Sequence, residues 1–134
     1  MMNLSFIEIF SIIFIHFVGD FVFQTHWQAT NKSKDDMALL SHTATYSVTW
    51  FIPIFVLFLY FCKINDVYFK INVSFFFCII TLVIHTITDY FTSRLNSKLW
   101  VKGDVHNFFV SVGWDQVCHY IQLFLTYYYL KKIM

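Results

Sequence analysis

Four long apolar stretches, about residues 4–29, 37–62, 72–95 and 108–130, take up most of this chain, and each is interrupted by only a few ionisable residues. About 20 apolar residues is the length an α-helix needs to cross the ~30 Å hydrocarbon core of a bilayer. Of the 134 residues, 58% are hydrophobic, 22% aromatic and 13% charged, whereas a soluble domain carries about a quarter charged residues. The expected fold is therefore all-α, a single integral membrane domain with four spans in an up-down-up-down bundle. Connections this short make neighbouring helices antiparallel. Asn31 to Asp36 closes the first stretch, Lys63 to Lys70 the second, and a polar run through Arg94, Lys98, Lys102, Gly103 and Asp104 the third. Pro53 inside the second stretch is expected to kink it, a feature membrane helices accommodate. Met1 to Ser5 has no basic run, and the first stretch contains Glu8 and His16, which points to a retained span rather than a cleaved signal.

Composition also removes some classes of function. A net charge of +1, with nine Lys and Arg scattered through the connections, gives no basic surface for a nucleic acid. Cys62, Cys78 and Cys118 are odd in number and lack C-x-x-C spacing, so they read as reduced packing residues. The phenylalanine-rich exterior is expected to face membrane lipid, and a second copy of the chain is a further candidate for it.

Within the apolar stretches, ionisable residues recur four apart: His16 and Asp20, His85 and Asp89, Asp115 and His119. That spacing puts both members of a pair on one helix face. An ionisable residue at the bilayer centre costs roughly 2.5–3.5 kcal/mol on insertion scales, so these six and His42 need a common partner. Antiparallel connection brings all seven to the same half of the membrane. Each stretch also carries one polar stripe: His16, Asp20, Gln24; His42, Thr45, Thr49; Thr81, His85, Thr88, Asp89, Thr92; and Ser111, Asp115, Cys118, His119, Gln122, Thr126. Such stripes face a bundle interior.

Imidazoles and carboxylates converging from facing helices are a known way to build a metal site in a bundle. The expected ligands are His16, Asp20, His42, His85, Asp89, Asp115 and His119. Four His and three Asp exceed the four ligands of one tetrahedral zinc, so one or two divalent ions, zinc by preference, are expected. Asp20, Asp89 and Asp115 are the candidate catalytic carboxylates, one of them a general base beside the ion. Gln24 and Gln116 are expected to orient carboxylates by hydrogen bonds, and Lys32 and Arg94 to bind a substrate phosphate. A plainer reading stands beside each: a lone His–Asp pair can be a helix-to-helix clamp, and the basic residues can anchor to headgroups. His26 and His106 fall near segment ends and read as interfacial.

The run His16-Phe17-Val18-Gly19-Asp20-Phe21 with Gln24 and Trp27, followed by Lys32, His42, His85 with Asp89, and Asp115-Gln116 with His119, resembles a family of small bacterial and phage integral membrane proteins defined as a domain of unknown function. The resemblance covers nearly the whole chain and implies a multi-pass protein of the bacterial inner membrane. A more distant likeness is to membrane-bound metal-dependent hydrolases and to the zinc-dependent phospholipase C and single-strand nuclease superfamily. It implies that His16, Asp20, His85 and Asp89 are ligands, that Asp20 bridges two ions, and that His26 is a further ligand. The chain departs from that superfamily in lacking an N-terminal Trp ligand and the Pro that follows the Gln. The expected function is a membrane-embedded metal-dependent hydrolase acting on a phosphoester or lipid-linked substrate near one membrane face. A cation or proton relay through the same His and Asp residues is the alternative, and a non-enzymatic membrane module that uses them only to pair helices is the third reading.

Overall fold

The computed structural model describes residues 4–134. It is all-helical, with no strand among the described residues: α1 Phe6–Phe17, a π-helical turn Val18–Val22, α2 His26–Asn31, α3 Asp36–Thr49, α4 Phe51–Phe61, α5 Val67–Val101 and α6 Val105–Lys132. The helix ends follow local chemistry. Ser5 starts α1 with a capping box, its hydroxyl accepting from the Glu8 amide while the Glu8 carboxylate accepts from the Ser5 amide at 2.8 Å. Thr25 and Gln28 repeat the device at α2. Asp35, Asp66 and Asp104 cap α3, α5 and α6 through their side chains, each satisfying an amide that the helix leaves unpaired.

The first stretch differs from the expected single helix. After Phe17 the ladder widens into the π turn, Phe23 ends it, and the Thr25 capping box restarts the chain as α2. In the second, Pro53 cannot donate an amide to residue 49, so α3 ends at Thr49 and α4 begins at Phe51 with Trp50 between them. The third runs on past its expected end. α5 has 35 residues, about 52 Å at ~1.5 Å per residue, and Arg94 and Lys98 lie on helix rather than in a connection.

Two helical segments, Asp36–Phe61 and Val67–Val101, are long and apolar enough to cross a membrane. α6 has the length, 28 residues, but its polar stripe lowers its hydropathy, and α1 is cut short by the π turn. Burial is nevertheless inverted relative to a soluble protein. Among the described residues fifteen polar or charged ones are buried against fourteen apolar ones, while Phe6, Phe91, Val101 and many other large apolar side chains point outward. Soluble interiors seldom hold so many ionisable groups.

α5 is the central element, packing most extensively on α6 and then on α3 and α4. At one end of the bundle Ile12, Trp50, Ile54, Phe58, Phe77, Leu123 and Tyr127 form a continuous apolar layer. Beyond that layer Glu8, almost fully buried, accepts hydrogen bonds from Tyr127 Oη at 2.7 Å and from Lys131. On the layer's other side lie the histidines and aspartates.

Candidate metal centre

Each helix delivers its polar residues to the same place. His16 closes α1 and Asp20 sits in the π turn, both buried. His42 lies one and a half turns into α3, His85 and Asp89 are successive turns of α5, and Asp115 and His119 do the same on α6. π-helical turns inside helices recur at functional sites because they re-aim side chains. Here Gly19 makes room for that turn: a Cβ on it would stand 3.0 Å from Cδ2 of Tyr46.

Two groups of possible ligands result, Asp20, His42, His85 and Asp89 in one, and Asp89, Asp115 and His119 in the other. In the first, His42 Nε2 and His85 Nε2 are 3.3 Å apart, and Asp20 Oδ1 is 3.1 Å from the former and 3.5 Å from the latter. Asp89 Oδ2 completes the set, 3.3 Å from His42 Nε2. Four ligands at about 2.0–2.1 Å from a tetrahedral ion stand about 3.3–3.4 Å from one another, since a tetrahedron's edge is about 1.63 times its centre-to-vertex distance. These four distances, 3.1–3.5 Å, are close to that spacing, and all four ligand atoms lie within 4.8 Å of one another. Asp20 Oδ1 is buried, and although these nitrogens stand close, neither is directed to it in good hydrogen-bond geometry. A buried acceptor left so is costly. The residues present could hold a metal ion.

In the second group His119 Nε2 is 3.1 Å from Asp89 Oδ1 and 3.3 Å from Asp115 Oδ1. Thr92 Oγ1 donates to Asp115 Oδ1 at 2.6 Å and Gln116 Nε2 donates to Asp115 Oδ2 at 3.2 Å. Asp115 also lines a cavity of about 380 Å³ in the α5–α6 groove with Thr92, Trp114 and Cys118. A metal group with three protein ligands and access to a cavity leaves a coordination position for water or substrate. The chain matches no family model, no curated protein and no solved structure. The geometry of these residues therefore has to carry the functional reading.

His16 is set apart from both groups. Gln116 Nε2 donates to Asp115, which turns Gln116 Oε1 toward His16 Nε2 at 2.9 Å, so that nitrogen carries the proton. His16 Nδ1 is then the acceptor, and Tyr46 Oη donates to it at 2.7 Å. Both ring nitrogens are engaged, and Asp20 Oδ2 is 3.8 Å from Nε2. His16 holds Gln116, and through it Asp115, in place. The distant resemblance implies Asp20 as a bridge, whereas the residue common to both groups is Asp89. Tyr46, His85 and His119 form a stack, with ring centroids 3.9 Å and 4.2 Å apart, so the aromatic residue fixes the plane of the imidazoles.

The remaining candidates fall at the rim. Gln116 orients a carboxylate, as its spacing suggests. Gln24, between the π turn and α2, has its Oε1 buried with no hydrogen-bond partner. Arg94 is held by Asp36 at 2.6 Å and lies over the Tyr90 ring at 3.7 Å, so its charge is spent on the α3–α5 contact. His26 and His106 are exposed and belong to neither group. Lys32 reaches inward instead of outward: Nζ donates to Asp89 Oδ2 at 2.7 Å and lies 3.3 Å from His42 Nε2. Burial opposes its charge, yet Asp89 and Asp20 outweigh that and hold its pKa above the ordinary lysine value. Gln28 makes this possible, because its amide donates to Ser41 at 3.0 Å and pins α2, with the turn that follows, onto α3. Tyr46 and Gln28 are the functional residues that sequence reasoning missed. The signal for Tyr46 was its position four after His42, and for Gln28 the Thr-x-x-Gln capping box.

Proposed function

We propose that this chain is an integral membrane four-helix bundle, up-down-up-down, that works as a metal-dependent hydrolase on a phosphoester or lipid-linked substrate near one membrane face of the bacterial inner membrane. The observation that carries the reading is the convergence of ligand atoms of His42, His85, Asp20 and Asp89 within 4.8 Å of one another in a buried site. Outward apolar side chains over a polar interior favour the membrane placement. The first stretch spans as α1 and its π turn, with α2 lying at the interface, and α6 spans with its polar stripe turned inward. The likeness of the His16 to Phe21 run and its partners to small bacterial and phage membrane proteins favours the same placement.

A divalent ion, zinc by preference for two imidazoles and carboxylates in a tetrahedron, would supply a water of lowered pKa and polarise a phosphoryl oxygen. The chain's own residues do the rest. Asp20, His42 and His85 would hold the ion, with Asp89 common to this group and the second. Asp115, fixed by Thr92 and Gln116 and facing the α5–α6 cavity, accepts the proton of the attacking water. His16 orients Gln116 behind it. The apolar layer from Ile12 to Tyr127 separates these groups from Glu8 and Lys131, which disfavours a relay across the whole membrane.

The test is metal analysis of the detergent-purified protein, followed by hydrolysis of short-chain phosphoesters. The reading expects at least one transition-metal ion per chain and activity lost in Asp115→Asn with the ion of the Asp20, His42, His85 and Asp89 group retained. A protein that binds no divalent ion after incubation and dialysis refutes it.

A further inference from the structure

The last three turns of α5 form a wall that faces the α2–α3 turn and the start of α6. Between them lies a cavity of about 510 Å³, lined among others by Lys32, Ser93, Asn96, Ser97, Trp100 and Phe108. Ser93, Asn96, Ser97 and Trp100 are spaced so that one helix face presents them together. Ser93 Oγ and Asn96 Oδ1 are buried and have no hydrogen-bond partner. Native proteins rarely leave such groups unpaired, so the cavity offers hydrogen bonds that the chain itself does not use. Lys32 is the one charged residue among its described lining. Trp100, 60% exposed, and the neighbouring Phe109, 65% exposed, form an apolar rim. Lys32 and the Ser93 hydroxyl can donate to an oxyanion, Asn96 Oδ1 can accept from the P–OH of a singly ionised phosphomonoester, and an aromatic rim suits the apolar part of the molecule that carries it.

Lys32 also touches the metal centre. Its ammonium lies 2.7 Å from Asp89 Oδ2 and 3.3 Å from His42 Nε2, two atoms of the first ligand group. A divalent ion bound there takes the same carboxylate and repels the ammonium. The side chain is then free to turn to the cavity it already lines.

We propose that the cavity at Lys32, Ser93 and Asn96 binds the phosphate of an amphiphile's headgroup, and that Lys32 is shared between this site and the metal centre, passing from Asp89 to the phosphate when the ion binds. The release step rests on the metal reading above. The cavity does not. Binding of the ion and of the phosphate is consequently cooperative, since the first removes the partner that competes for the lysine.

Isothermal titration of the full-length protein in detergent tests this with two probes, inorganic phosphate and dihexanoyl phosphatidic acid, each with and without one equivalent of zinc. Zinc is expected to tighten binding of the phosphate-bearing probe at least tenfold. Asn96→Leu and Lys32→Met are each expected to weaken it at least tenfold, with zinc stoichiometry unchanged in Asn96→Leu. Asp89→Asn, which releases the lysine without an ion, is expected to tighten binding in the absence of zinc. A lipid source is marked by phosphatidic acid binding well above phosphate, and a free-ion source by equal affinities. Phosphate bound only through the ion would be unaffected by Asn96→Leu, and that result overturns the inference, as does the absence of binding by either probe. Should the protein take no zinc while phosphatidic acid still binds and Asn96→Leu weakens it, the metal reading falls and the headgroup site stands.

Discussion

Gly19→Ala is the most searching single change, because it leaves every ligand in place and alters only the room behind them. The new Cβ would stand 3.0 Å from Cδ2 and 3.3 Å from Cε2 of Tyr46. Carbon atoms rest at about 3.5–4.0 Å, so the ring has to retreat by roughly half an ångström. It cannot retreat freely, since Tyr46 is fully buried, stacks on His85 with centroids 3.9 Å apart and donates its hydroxyl proton to His16. Overpacking of this kind costs about 1–3 kcal/mol, and the shift of His85 is expected to weaken zinc binding about tenfold. Denaturant unfolding in mixed micelles reads the first effect and competition with a chromogenic chelator the second. Gly113→Ala is the internal control: nothing lies within 4 Å of its Cβ position in α6, and removing a helix-interior glycine stabilises by about 0.5–1 kcal/mol. In a Tyr46→Leu background the Gly19→Ala loss should shrink to a few tenths of a kcal/mol. An equal loss in both backgrounds, or none in the parent, would refute the idea that Gly19 exists to seat Tyr46 against the imidazoles.

Three further outcomes are expected. Zinc affinity measured by competition should fall more than a hundredfold in His42→Ala and less than tenfold in His16→Ala, and the reverse order would restore His16 as a ligand. Glu8→Ala removes the acceptor of Tyr127 and Lys131 and should destabilise by about 1–3 kcal/mol while zinc stoichiometry stays the same; a change in stoichiometry would mean that the two polar regions are coupled through the apolar layer. Asp89→Asn should lower the bound metal to at most one ion per chain if two are present in the parent, because both ligand groups use this carboxylate; elemental analysis with the metal count unchanged would remove the bridging role.

The convergence of the site was legible in the sequence because it depends on periodicity. His85 and Asp89 can lie only on one face of a helix, and short connections place Asp115 and His119 opposite them. What periodicity cannot give is which nitrogen meets which oxygen. His16 has the same spacing from Asp20 as His85 has from Asp89, yet Tyr46 and Gln116, 30 and 100 residues away, take up both of its nitrogens. The break in the first stretch was encoded in the Thr25–Gln28 capping box, but the apolar residues on either side outweigh two polar ones in any reading by hydropathy. Lys32 sits in a polar run that resembles a solvated turn. Only the pinning of Gln28 to Ser41 turns it inward. The length of α5 was hidden for a related reason: Arg94 and Lys98 read as a connection by polarity, although neither they nor their neighbours break a helix.

The apolar layer of Ile12, Trp50, Ile54, Phe77 and Leu123 makes the interior a pouch closed at its floor. On the proposed membrane placement, ions and chelators would then enter from a single leaflet. In sealed vesicles a chelator that cannot permeate would strip the protein when added outside in one insertion and spare it in the other, so the protein's own loading reports which way round it sits.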